Sequence, residues 1–268
     1  MPVEVSLKDL IATGAHFGHQ TKRWNPKMTP YLYTEKDGVH IFDLTKTKTL
    51  LDEALGVLHK AAKEGKTILF VGTKKQAKEK IKEVAEATGS FFVNERWLGG
   101  ILTNIDQIKK SISKLTDIKI GFEKGIYKNY TKKERLLLDR ELQRLIRFFG
   151  GLVGMQKLPD LLVIVDVKRE RTAVKESVFT GVETIGIVDS NSDPDDLDYP
   201  VPMNDDAIKA VDYVLNLMKE AVLKGKGIKS DELQVTSDKK KVEKLKKEEK
   251  KSNTRQVTGD RKKSRKKV

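Results

Sequence analysis

The sequence predicts an α/β protein of the doubly wound, Rossmann-like class: a parallel sheet with helices on both faces. It also predicts an inserted antiparallel helical hairpin and a basic C-terminal tail that is disordered when free. Three observations lead there. Short apolar runs (T-I-L-F-V at 67–71, F-F-V at 91–93, L-L-V-I-V at 161–165, T-I-G-I-V at 184–188) alternate with helically spaced segments. Strands buried on both faces read in this way. The alternation breaks between Ile105 and Gly150, and the composition changes from Lys229 onward. The expected units are therefore a body at 1–104 and 151–228, a hairpin at 105–150 and a tail at 229–268.

In chain order, Ser6 is placed to cap a short helix ending near Gly14. Gly14, Gly18 and Pro26 then keep 14–28 from forming a regular helix. Tyr31 to Leu44 reads as two short strands around the turn signal Lys36-Asp37-Gly38. Leu50, Leu51, Ala54, Leu55, Leu58, Ala61 and Ala62 follow helical spacing. Lys74 to Ala87, 170–179 and Asn204 to Leu223 complete the helices of the body. In the inserted segment, Ile105, Ile108, Ile112, Leu115 and Ile118 make one apolar stripe. Thr131 and Glu134 have capping-box spacing, and Leu138, Leu142, Leu145 and Phe149 make a second stripe. Two such stripes flanking a polar loop predict an antiparallel hairpin.

Charge narrows the partner. The chain carries a net +14, and its 268 residues contain no cysteine. An excess of cations favours an acidic partner, most often nucleic acid. Lack of cysteine excludes disulfides, thiolate metal ligands and cysteine nucleophiles. No apolar run approaches the length of a membrane span, and the N-terminal segment has no apolar core of a signal peptide. The hairpin holds twelve Lys and Arg against six Asp and Glu, and the tail sixteen against seven. The tail is too poor in large apolar residues to offset its ordering entropy.

Candidate nucleic-acid contacts concentrate in G-A-H-F-G-H-Q-T-K-R-W-N-P-K-M at 14–28. His16, His19 and Trp24 are suited to stacking, and Lys22, Arg23 and Lys27 to phosphates. The alternative is a loop whose Phe17 and Trp24 tuck under the domain. Arg96 and Trp97 lie just before the hairpin and extend the expected surface. Lys109, Lys110, Lys114, Lys132, Lys133, Arg140 and Arg144 are expected to hold a second RNA segment.

An enzyme of this fold class would be a nucleotide-binding one. The turn F-V-G-T-K-K-Q after 67–71 has neither G-x-G-x-x-G nor the Lys-Ser/Thr pair of a P-loop, and no nucleophile is evidently paired with a base. The chain is expected not to be an enzyme and to require no cofactor. Asp189, Asp205 and Asp206 converge on one sheet edge in this reading, where they would hold a divalent cation, Mg or Zn. The alternative is that Asp205 and Asp206 open a helix and complement its dipole. An acidic edge on a basic protein also suits a protein-facing surface.

Five segments carry a resemblance. They are residues 14–28, F-F-V-N-E-R-W-L-G-G-I-L-T-N at 91–104, L-P-D-L-L-V-I-V-D at 158–166, I-V-D-S-N-S-D-P-D at 187–195 and P-M-N-D-D-A-I-K-A-V at 202–211. In this order they resemble the bacterial small-subunit ribosomal protein two family, over about residues 5 to 227. The resemblance implies a projecting coiled-coil hairpin on an α/β body and a cytoplasmic, ribosome-associated structural role. It implies contact with small-subunit ribosomal RNA between head and body, and docking of neighbouring small-subunit proteins, including the large RNA-binding protein one. No membrane partner is implied.

Overall fold

The computed structural model describes residues 3–227, which lie within one compact unit, Met1–Gly227. The tail at 229–268, with its expected disorder, falls outside the described residues. Five strands form an all-parallel sheet: β4 (Ile68–Val71), β5 (Phe91–Val93), β6 (Leu161–Val165), β7 (Glu183–Val188) and β8 (Tyr199–Pro202). Their spatial order is β5-β4-β6-β7-β8. Every residue of β4 and β6 is buried, which explains their unbroken apolar sequences.

Side chains alternate between the two faces. Ile68, Phe70, Leu161, Val163, Val165, Ile185 and Ile187 enter one apolar cluster with three helices: α2 (Leu44–Lys63), α3 (Lys78–Thr88) and α7 (Ile208–Gly225). Leu69, Val71, Leu162, Ile164 and Val188 enter the other, with Ala173 and Val174 of α6 (Arg171–Thr180). The doubly wound expectation is met by this pair of cores.

The second core continues outward into the hairpin. Helices α4 (Ile105–Glu123) and α5 (Lys132–Phe149) meet through Ile108, Ile112, Leu115, Ile118, Leu142, Leu145 and Phe149. Thr131 and Glu134 form the reciprocal capping box at the start of α5, satisfying two otherwise orphan donors.

A second, three-stranded antiparallel sheet precedes α2, in the order β1-β3-β2, with β1 Phe17–Gln20, β2 Leu32–Lys36 and β3 Val39–Phe42. Asp37 and Gly38, at φ 54° and 74°, make its hairpin turn. Ser6 caps α1 (Leu7–Ala12) as expected. The 14–28 segment is therefore not one irregular loop. It supplies β1 and two short 3-10 helices at Thr21–Arg23 and Pro26–Tyr31, and Met28 is fully buried.

Two helices start later than their spacing suggested. α3 begins at Lys78, and Lys74 sits in the preceding turn, accepting from the N–H groups of Ala77 and Lys78. α7 begins at Ile208 with Ala207 as its cap residue. Asp205 and Asp206 thus precede the helix rather than open it, because the Asn204 side chain takes the N–H groups of Asp206 and Ala207 into a local turn. β8 escaped the sequence reading: Pro200 and Pro202 argue against a strand, but proline is tolerated at an edge, which β8 occupies.

Candidate functional site

The carboxyl ends of β4, β6, β7 and β8 lie at one edge of a parallel sheet, and each delivers a polar residue there. After β4 come Thr73 and Lys74, after β6 Asp166, after β7 Asp189 and after β8 Asp205 and Asp206. Lys74 Nζ lies 2.6 Å from Asp205 Oδ1, 2.6 Å from Asp206 Oδ1 and 3.5 Å from Asp166 Oδ2. Asp189 is fully buried and Asp205 nearly so. His19, on β1, reaches in from the small sheet, with Nδ1 2.9 Å from Asp189 and Nε2 3.3 Å from Asp206. The Asp205 N–H donates to Asp189 at 3.2 Å, and the His19 N–H to Ser190 Oγ at 2.8 Å.

Four carboxylates face one ammonium and one imidazole. The hydrogen bond with Asp189 raises the His19 pKa against the opposing effect of burial. Burial lowers the Lys74 pKa, but Asp205 and Asp206 outweigh it and the value rises. Burial, then the charges of Asp189 and Asp166, raise the Asp205 carboxyl, while Lys74 opposes them.

The crevice between β4 and β6, where the strand order reverses, is the usual ligand position in such sheets. Here the protein fills it with its own anion. Glu170, 3% exposed, accepts the Thr73 N–H at 3.1 Å and its hydroxyl at 2.5 Å. Arg169 Nε donates to Thr73 Oγ1 at 2.8 Å. A phosphate at this turn would need the N–H that Glu170 already takes. Burial holds the Glu170 pKa above the ordinary glutamate value.

Away from this edge, the small sheet and the hairpin carry the expected basic residues. Lys22 and Arg23 are exposed in their 3-10 turn and form no ion pair among the described residues. The Trp24 ring, 36% exposed, lies 5.0 Å from the His40 ring. His16 is half-buried against Phe17, ring centroids 4.0 Å apart, and its Nδ1 has no hydrogen-bond partner. On the hairpin, Lys110, Lys132, Lys133, Arg140 and Arg144 are exposed, and no ion pair engages them among the described residues. Lys133, Arg140 and Arg144 share the face of α5 opposite Leu142, Leu145 and Phe149. Lys109 pairs with Asp106 at 3.5 Å, and Lys114 crosses to Glu141 on α5 at 2.5 Å.

The sequence model of ribosomal protein S2 matches residues 10–225. The chain belongs to the ribosomal protein S2 family. It is therefore a structural constituent of the small ribosomal subunit, serving translation. Among the described residues no helix is long and apolar enough to cross a membrane.

Within this S2-family chain, three expected contacts need correction. Trp97 is 7% exposed, and its Nε1–H donates to Glu176 at 3.2 Å, so it is a packing residue beneath the hairpin, while its neighbour Arg96 stays exposed. Lys27 is engaged by Asp193 at 2.8 Å and Asp195 at 2.7 Å; both raise its pKa. The carboxylates of Asp189, Asp205 and Asp206 do not make a free trio, because Lys74 holds both Asp205 and Asp206. The set with ligand atoms mutually within 4.8 Å is His19, Asp189 and Asp206. The carboxylate partners of His19, Asp189 and Asp206, come from far downstream in the chain, so no local spacing marks them. Lys74, Asp166, Glu170 and Glu176 were missed altogether, and no local motif marks them.

Proposed function

We propose that this ribosomal protein is a two-ended clamp on folded small-subunit RNA. One end is the small sheet, where Lys22 and Arg23 contact phosphates and Trp24, His16 and His19 border the surface. The other is the outer face of the hairpin, where Lys110, Lys132, Lys133, Arg140 and Arg144 hold a second RNA segment. The observation that carries this reading is the distribution of unpaired cations. Both surfaces present several exposed cations that form no ion pair among the described residues, whereas Lys74 at the carboxyl edge of the sheet is held by Asp205 and Asp206. Lys132 and Lys133 also lie in the first turn of α5, the wrong helix end for a positive charge. A partner anion offsets that cost.

Contacts of this kind position the protein without reading sequence; RNA shape and 2′-hydroxyls supply the rest. The acidic edge suits docking of a neighbouring small-subunit protein, the large RNA-binding protein one included. A divalent cation there would sit on His19, Asp189 and Asp206, and the imidazole favours Zn over Mg. Calorimetric titration with Zn tests that: His19→Ala abolishes the heat, and an unchanged heat rejects the assignment.

The clamp is tested by the salt dependence of binding to small-subunit RNA. Each phosphate contact contributes about 0.7 to the log–log slope on single strands. Replacing Lys132, Lys133, Arg140 and Arg144 with Ala flattens the slope, and an unchanged slope in the folded variant rejects the hairpin's role. A nucleotide-dependent enzyme, the rival reading, predicts heat protection by NAD or ATP. Glu170 at the phosphate position argues against it.

A further inference from the structure

A cavity of about 520 Å³ opens at the end of the sheet opposite the polar edge. The connection from β7 to β8 carries no helix. Residues 189–198 run back along the sheet until Asp198 takes the Thr184 N–H at 2.8 Å and its hydroxyl at 2.9 Å. The cavity lies between the end of this return and the last turn of α6. Gly186 lets the return lie close to the sheet, because a Cβ there would meet Leu197 at 2.5 Å. Val182 and Leu197, nearly buried, supply apolar lining, and Glu183, Asp195, Asp196 and Asp198 supply the charge.

Two features distinguish this place from the rest of the surface. Val178, which lines it, is 59% exposed, and the next residue, Phe179, is 81% exposed, the most exposed large apolar side chain among the described residues. Its charge is of one sign. Asp195 is paired outside the cavity with Lys27, and Asp196 has no ion-pair partner among the described residues. The carbonyl end of α6 adds partial negative charge at the same place. Such a potential repels phosphate and attracts a cation.

We propose that this cavity docks a segment of another small-subunit protein, one that inserts an arginine or lysine and lays a neighbouring apolar side chain on Phe179. An aromatic anchor beside a pocket that accepts one long side chain is the usual centre of a protein interface. The sign of the charge makes the occupant a basic protein segment rather than RNA. The inference rests on the small-subunit reading, deepening it with a separate partner surface.

The test replaces Phe179 with a photoreactive benzoylphenylalanine in the full chain, assembles small subunits, irradiates them and identifies the adducts by mass spectrometry. The expected product is a crosslink to one small-subunit protein, at a peptide with Lys or Arg beside an apolar residue. Asp196→Lys in the same chain lowers its yield about tenfold or more, since it sets like charges face to face. A crosslink to RNA, no crosslink from a chain that co-sediments with the subunit, or a yield indifferent to Asp196→Lys overturns the inference and leaves the small-subunit reading intact. A labelled and an unlabelled chain that both fail to enter the subunit remove both.

Discussion

Glu176→Gln removes one charge from the root of the hairpin and changes almost no volume. The carboxylate is buried on α6 and accepts from five donors. Oε1 takes Trp97 Nε1–H at 3.2 Å and the Gly100 N–H at 2.8 Å. Oε2 takes the Leu102 N–H at 3.0 Å, the Thr103 N–H at 3.3 Å and the Thr103 hydroxyl at 3.3 Å. The segment 97–103 between β5 and α4 is thus pinned by one side chain. A glutamine can point its oxygen at only one group of donors, so its NH₂ faces at least two N–H groups. At about 1.5–3 kcal/mol for each lost charged hydrogen bond, the variant is destabilised by about 3–6 kcal/mol. That lowers the melting temperature by about 10 °C. The effect has a pH signature. Burial raises the Glu176 pKa, but the N–H donors, Gly100 and Leu102 foremost, outweigh it, and the value lies below the ordinary glutamate pKa. Its contribution is complete above about pH 4.5 and is lost as the pH falls through the lower folded value. Urea unfolding of both proteins between pH 3 and 7 therefore shows a gap that is widest at neutrality and closes in acid. A gap below about 1 kcal/mol at pH 7, or one that does not change with pH, would refute this account of the carboxylate.

Three other outcomes follow from the same geometry. Lys74→Met leaves Asp166, Asp189, Asp205 and Asp206 with His19 alone, and urea unfolding at pH 7 shows a loss of about 3–5 kcal/mol, as for a broken buried pair. His19, with its raised pKa, stabilises fully below about pH 6.5 and loses that contribution as the pH rises through its folded value. The raised Asp205 shifts stability in the same direction, so the urea midpoint falls from pH 6 toward pH 9, and His19→Gln makes that fall shallower. Trp24→Ala weakens RNA binding by about 1–3 kcal/mol in a filter-binding assay when a base stacks on the ring; equal affinity assigns Trp24 to packing against His40.

Much of the architecture was legible because its signals are local. The run at 161–165, the Thr131–Glu134 box and the paired stripes of the hairpin each lie within one element and state its period. β8 was illegible for the same reason: two prolines in four residues read as a break, and only the edge position reconciles them with a strand. The polar edge is non-local. His19 meets Asp189 and Asp206, and Lys74 meets Asp166 and Asp205, only after four strands are side by side. Trp97 shows the limit of composition: beside Arg96 and ahead of a basic hairpin it has the company of an RNA-stacking residue, yet Glu176, on another element, draws it into the second core. Conversely, the solvent-facing cations of α5 were predictable from their spacing against Leu142, Leu145 and Phe149.

The measurement that bears most directly on the clamp is hydroxyl-radical footprinting of the RNA in small subunits reconstituted with the wild-type chain and two variants. One variant replaces Lys132, Lys133, Arg140 and Arg144 with Ala; the other replaces Lys22, Arg23 and Trp24. The account predicts two separate protected RNA segments, one lost in each variant while the other persists. A single protected segment, or two that survive both sets of substitutions, would contradict it.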